Sequence, residues 1–138
     1  MPECIFLPAD AMPITYHIDK ALGTIHTRCS GDLKFDEVMD HFRALRQDPD
    51  CPERLDVLLD VTGCTSSPQS DQLRSAGAAV GKIREKVRFD ACAIIVSDDL
   101  WFGMARMFLA FAEGHFRVSQ VFRNLEEGKK WLASVSAD

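Results

Sequence analysis

The sequence predicts an α/β domain: a mixed sheet of four to five strands flanked by helices on both faces. Three observations carry this. Asp90–Ser97 is a nearly unbroken apolar run of strand length, and an apolar helix follows it at Leu100–Ala112. Arg117–Arg123 and Leu125–Val135 then repeat strand and helix, an alternation that builds parallel sheet. Near the other end, Ile14–Lys20 and Thr24–Ser30 are too close together for a helical crossover and pair as an antiparallel hairpin. The whole order is β-β-α-β-α-β-α-β-α. With 138 residues the chain is one domain, 1–138, large enough for a single core; residues 1–13, with Pro2, Pro8 and Pro13, form an irregular segment.

The hairpin turns at Ala21-Leu22-Gly23. If Ile18 faces Ile25, then Tyr16 faces Thr27 and Ile14 faces Cys29, which collects the more apolar set on one face. The other face then pairs Thr15 with Arg28 and His17 with His26. Phe35–Gln47 is an amphipathic helix, with Phe35, Val38, Met39, Phe42 and Leu45 at helical spacing and Asp36 and Glu37 in the dipole-favoured first turn. Asp48-Pro49-Asp50-Cys51-Pro52 ends it. Leu55–Val61 is the third strand and Thr62–Ser67 the loop after it. Ser67 reads as an N-cap with Pro68 at the first helical position of a helix reaching Val87. That helix turns Leu73, Ala76, Gly77, Val80, Ile83 and Val87 to one side. Ser97, Asp98 and Asp99 are candidate caps for the apolar helix, and Gly114 ends it. Asn124, with Glu127 three residues on, opens the last helix, whose Leu125, Trp131 and Leu132 face inward. The crossovers are expected to be right-handed; loop lengths leave the strand order open.

Composition narrows the function classes. Hydrophobic residues make up 46% and charged residues 27% of the chain, an ordinary globular balance. A net charge of −5 disfavours nucleic acid as a partner, since a phosphate backbone demands clustered Lys and Arg. The apolar run Leu100–Ala112 is 13 residues long and contains Arg106, too short and too charged for a transmembrane segment. The opening residues make no secretory leader. The five cysteines are scattered, with no Cys-x-x-Cys, which suits reduced thiols in a cytoplasmic protein.

Four stretches carry a family resemblance. They are Ser30-Gly31-Asp32-Leu33 ahead of the first helix, Leu58-Leu59-Asp60-Val61-Thr62-Gly63, Phe102-Gly103-Met104-Ala105-Arg106-Met107-Phe108, and Val121–Glu127 closing in Trp131-Leu132. Over about residues 14–133 the chain resembles the small bacterial SpoIIAA-like (STAS/SEC14-like) proteins. The resemblance implies a four- or five-stranded sheet flanked by helices. Anti-anti-sigma members carry a phosphorylatable serine in an Asp-Ser-Ser/Thr-Gly motif at the start of the helix after the third strand. This chain has Thr65-Ser66-Ser67-Pro68-Gln69-Ser70-Asp71 there: serines without the motif. The SEC14-like lipid carriers are much larger, and 138 residues give less material with which to enclose a whole lipid.

Trp101, Phe102, Met104, Met107, Phe108 and Phe111 lie all round their helix and cannot all face one sheet; a partner chain or an apolar ligand would take the remainder. Arg106, the lone charge among them, can snorkel, pair with Asp98 or Asp99, or hold an anion. Ser66, Ser67 and Ser70 mark a possible phosphorylation or anion site at a helix start, or simply its caps. His17 and His26 with Asp19 have ligand chemistry but no assured third ligand, so no metal is expected. Asp60, Asp98 and Asp99 lie near strand ends, where open α/β sheets place ligands. No nucleophile motif, Gly-rich phosphate loop or zinc pattern accompanies them, and the sequence demands neither an enzyme nor a cofactor. The reading that follows is a non-enzymatic binding or regulatory module. It acts through protein contacts, as a homodimer formed on the Trp101–Phe111 helix. The alternatives are a carrier or sensor of a small apolar ligand and a phosphoserine-controlled switch.

Overall fold

The computed structural model describes residues 14–66, 68–83 and 87–136; the 1–13 segment and Ser67 lie outside them. The elements are β1 (Ile14–Asp19), β2 (Thr24–Gly31), α1 (Phe35–Gln47), β3 (Arg54–Cys64), α2 (Ser70–Ile83), β4 (Arg88–Ile95), α3 (Asp99–Phe111), β5 (Val118–Phe122) and α4 (Leu125–Ser136). They form one five-stranded sheet in which every strand lies beside its neighbours in sequence.

The hairpin has the register that sorts both its faces: Ile14 opposite Cys29, Tyr16 opposite Thr27, His17 opposite His26, Ile18 opposite Ile25. Gly23, at φ 66°, supplies the left-handed turn residue that an L side chain resists. All later pairings are parallel. A sheet that grows in one direction through crossovers of one hand puts every crossover helix on the same face. Accordingly α1, α2 and α3 lie side by side on one face, with α2 in the middle, and α4 covers β3, β4 and β5 on the other.

A bulge decides what β4 shows to each face. Leu55 pairs with Phe89 and Val57 with Cys92, so β4 spends one residue more than β3 over this stretch. The insertion turns Phe89, Cys92 and Ile94 toward the three helices and leaves Ala91, Ala93 and Ile95 beneath α4 with Leu132. Small residues at 91 and 93 let α4 lie directly on the sheet.

The two helix layers pack differently. α4 sits close on three strands, whereas α2 is flanked by α1 and α3 and meets the sheet through Val80 and Ile83, which cluster with Ile25, Leu55 and Phe89. Gly77 makes the α2–α3 contact possible: a Cβ there would meet the Cβ of Phe111 at 2.8 Å and its carbonyl carbon at 2.9 Å.

Several boundaries differ from the sequence reading. β3 runs on to Cys64, which is therefore a strand residue, and Asp60 lies inside the strand rather than at its end. Asp60 Oδ1 accepts from the Thr62 amide and hydroxyl at 2.9 and 2.7 Å. α2 begins at Ser70, so Pro68 precedes the helix instead of opening it; Gln69 caps it, its amide donating to Gln72 Oε1 at 2.8 Å. The described part of α2 reaches Ile83, and the amide of buried Val87 donates to the Ile83 carbonyl at 2.9 Å as the chain enters β4. Leu125 does not face inward: it is 37% exposed, while Leu132 carries the burial. Asn124 does cap α4, accepting from the Glu127 amide at 3.1 Å.

Candidate ligand cavity

A cavity of about 460 Å³ lies between the sheet and α1–α3. Its floor is the apolar face of β2, β3 and β4: Ile25, Cys29, Val57, Leu59, Val61, Cys92 and Ile94. Its roof is Val38, Phe42 and Leu45 from α1, Leu73, Ala76 and Val80 from α2, and Trp101, Met104, Ala105 and Phe108 from α3. Phe89 and Phe116, with ring centroids 5.6 Å apart, bound it further.

Polar groups gather at one end, where the chain leaves β2 and β3. Asp32 and Lys34 stand on the β2–α1 connection; Ser66, Gln69 and Gln72 stand at the start of α2. This is the carboxyl edge of the parallel strands, where open α/β sheets take ligands. The mouth groups satisfy one another. Lys34 Nζ is 3.4 Å from Asp32 Oδ2, and the Ser66 hydroxyl donates to the Leu33 carbonyl at 3.5 Å.

Two polar side chains lie deeper. Thr27 is 5% exposed on the floor, and His41 lines the α1 wall. The His41 ring meets Tyr16 edge-on at 5.2 Å and lies 5.7 Å from Phe42. Burial lowers the His41 pKa to about 4, so the imidazole is neutral at pH 7. The Tyr16 hydroxyl donates to Asp48 Oδ2 at 2.6 Å; burial first, then this bond, raises its pKa to about 12. Burial likewise raises the thiols of Cys29, to about 12, and of Cys92. Both are therefore inert floor thiols rather than nucleophiles.

The α3 residues singled out from the sequence divide by face. Trp101, Met104 and Phe108 turn into the cavity. Phe111 is half-buried against α2 beneath Arg74, whose guanidinium sits 4.9 Å from the ring. Phe102 is half-buried under Arg123, also at 4.9 Å. Met107, 37% exposed, and Arg106 point outward. Arg106 pairs with neither Asp98 nor Asp99: Asp98 accepts from the Trp101 amide at 2.8 Å as the N-cap, and Asp99 is taken by Arg123. Apolar residues all round α3 are thus divided among the cavity, α2 and solvent.

The remaining candidates do not join this site. Ser66 is at the mouth; Ser70 is exposed at the first residue of α2. His17 and His26 sit opposite each other on the α4 side, in a shallow groove with Arg28, Asp60 and Lys129. Asp19 accepts from the Leu22 amide at 3.1 Å, and no cluster of three or more metal-binding side chains occurs among the described residues. Thr27 and His41 escaped the sequence reading, although each had a signal. Thr27 interrupts the apolar face of the hairpin, and His41 falls on the apolar stripe of α1.

Comparison with known proteins places the architecture. No family model matches the chain, and no curated protein matches it. Among solved structures it is similar to the crystal structure of an uncharacterised protein of the DUF3478 family from Shewanella loihica PV-4, described as having a SpoIIAA-like fold. The TM-score is 0.54 at 18% identity, over 86% of this chain and 91% of that one. The fold is SpoIIAA-like. In this SpoIIAA-like domain the cavity lies on the three-helix face, away from the groove beneath α4. No described helix is long and apolar enough to cross a membrane.

Proposed function

We propose that this chain is a non-enzymatic binding module that holds a small, largely apolar molecule between its sheet and α1–α3. The observation that carries this is the 460 Å³ cavity with Trp101, Met104 and Phe108 turned into it. Its volume lies within the ~300–1,000 Å³ of small-molecule sites. An apolar occupant would cover lining side chains that otherwise face water.

Titration with N-phenylnaphthylamine, an uncharged dye that brightens in apolar surroundings, tests the reading. Saturable brightening is expected. Ala105→Leu, which fills the roof, should keep native circular dichroism and weaken the dye about 10-fold or more. A folded wild-type protein that leaves the dye dark would sink the proposal.

A second reading, contact with another copy of the chain, is favoured by the outer face of α3. Leu100 is 56% exposed and Met107 37%, with exposed Gly103 and Ala110 between and beyond them. A dimer mass by light scattering that drops to monomer in Met107→Glu is the expected result; a monomer in the wild type removes this reading.

A further inference from the structure

The lining of the cavity says what kind of molecule it takes. At the mouth Lys34 is partnered by Asp32, Ser66 by the Leu33 carbonyl and Gln72 by the Gln69 amide. Inside, the pattern reverses. Among the described residues neither the Thr27 hydroxyl nor the His41 imidazole has a hydrogen-bond partner, and Thr27 is only 5% exposed. Yet no buried side-chain nitrogen or oxygen among the described residues is sealed off without a partner, so the Thr27 hydroxyl keeps some accessible surface, and Thr27 lines the cavity. The two groups share one end of the site. Thr27 is the cross-strand partner of Tyr16, and the Tyr16 ring packs edge-on against His41.

We infer that the molecule held in the cavity is uncharged and carries a hydroxyl or carbonyl group that meets Thr27 and His41. This rests on the cavity being a binding site. A threonine hydroxyl both donates and accepts, and a neutral imidazole offers one donor and one acceptor. A single hydroxyl or carbonyl on an otherwise apolar body can therefore satisfy groups that the protein leaves open. An ionised group finds no such welcome. The charged lining residues, Asp32 and Lys34, stand at the mouth and pair with each other, and burial keeps His41 neutral at pH 7. A carboxylate or ammonium drawn inside would lose its water and gain no counter-charge.

The test is displacement of N-phenylnaphthylamine from the intact protein by decanol, chlorodecane and decanoate. Decanol should displace the dye, and decanoate should need a concentration at least about 10-fold higher. Thr27→Val, which removes the hydroxyl at nearly constant shape, should weaken decanol about 10-fold and leave chlorodecane within about twofold. His41→Phe should act in the same direction. Thr27→Ser, which restores the hydroxyl, should recover decanol binding and guards against a folding defect in the valine variant. Equal weakening of decanol and chlorodecane by Thr27→Val, or decanoate competing as well as decanol, overturns the inference while the cavity reading stands. A dye that never binds overturns both.

Discussion

Asp90 ties together more of the molecule than any other single side chain described. Its carboxylate takes Arg117 in a two-pronged grip, Nε at 2.8 Å and Nη2 at 2.9 Å, and is bonded by Arg54 from β3. Arg117 also donates to the Val135 carbonyl at 2.7 Å, so one carboxylate links β3, β4, the approach to β5 and the end of α4. The Arg117 bond, followed by the Arg54 bond and both arginine charges, holds the Asp90 pKa below the usual carboxylate value against the opposing pull of burial. The sign follows directly. A carboxylate whose folded pKa is depressed adds stability that is complete above its unfolded pKa and is lost as pH falls through the folded one. Asp90→Ala should therefore cost about 1.5–3 kcal/mol at pH 7, the range for hydrogen bonds to charged groups, since both arginines remain partly hydrated. Measured by urea unfolding, the gap between wild type and variant should close as pH falls below about 4. A gap independent of pH would mean that the ion pairs contribute nothing and only packing was lost.

Among the elements, α2 lies between α1 and α3, roofs part of the cavity, and is held from the side by both. Its small residues let another helix come close: Gly77 admits Phe111 of α3. Alanine is the better helix former by about 1 kcal/mol. Gly77→Ala should nevertheless destabilise by about 1–3 kcal/mol, because the new methyl meets backbone atoms that cannot swing aside. The same shift of α2 or α3 should weaken dye binding, and thermal unfolding and titration on one variant check both. Element order, the hairpin register and the caps at Asp98 and Asn124 were legible because each is local chemistry, a period of two or a side chain three residues from an open amide. The start of α2 was misread for a related reason. Ser67-Pro68 has cap chemistry, but the helix starts after Gln69, two residues later, where the Gln69 amide donates to the Gln72 side chain. Leu125 was misplaced because periodicity names a face without saying how far a partner extends along it.

At the scale of the whole molecule, the cavity was beyond the reach of the sequence. The apolar stripes of α1, α2 and α3 read the same whether they touch the sheet or stand off it, and only tertiary spacing separates the two. The sequence did pose the question, because α3 carries more apolar surface than one sheet contact absorbs. The fold answers by dividing those residues: Trp101 and Phe108 inward, Phe111 to α2, Phe102 under Arg123, Met107 outward. Asymmetry between the two faces follows from handedness and not from any one residue. Three same-handed crossovers place three helices on one side, and a lone terminal helix closes the other.

The strand order has a consequence in time. Because each strand lies beside the one made just before it, no pairing in the sheet waits for a distant part of the chain. Loop closure is the toll on folding speed, and here each closure spans one crossover. A ribosome releasing this chain from its amino end would expose the hairpin first, then offer each new strand an edge already in place. Among the described elements, α4 covers the face of β3, β4 and β5 that the other helices leave bare. Until it emerges, Leu58, Ala91, Ala93 and Ile95 stay open to water, so the nascent sheet is most vulnerable to aggregation between the emergence of β5 and that of α4.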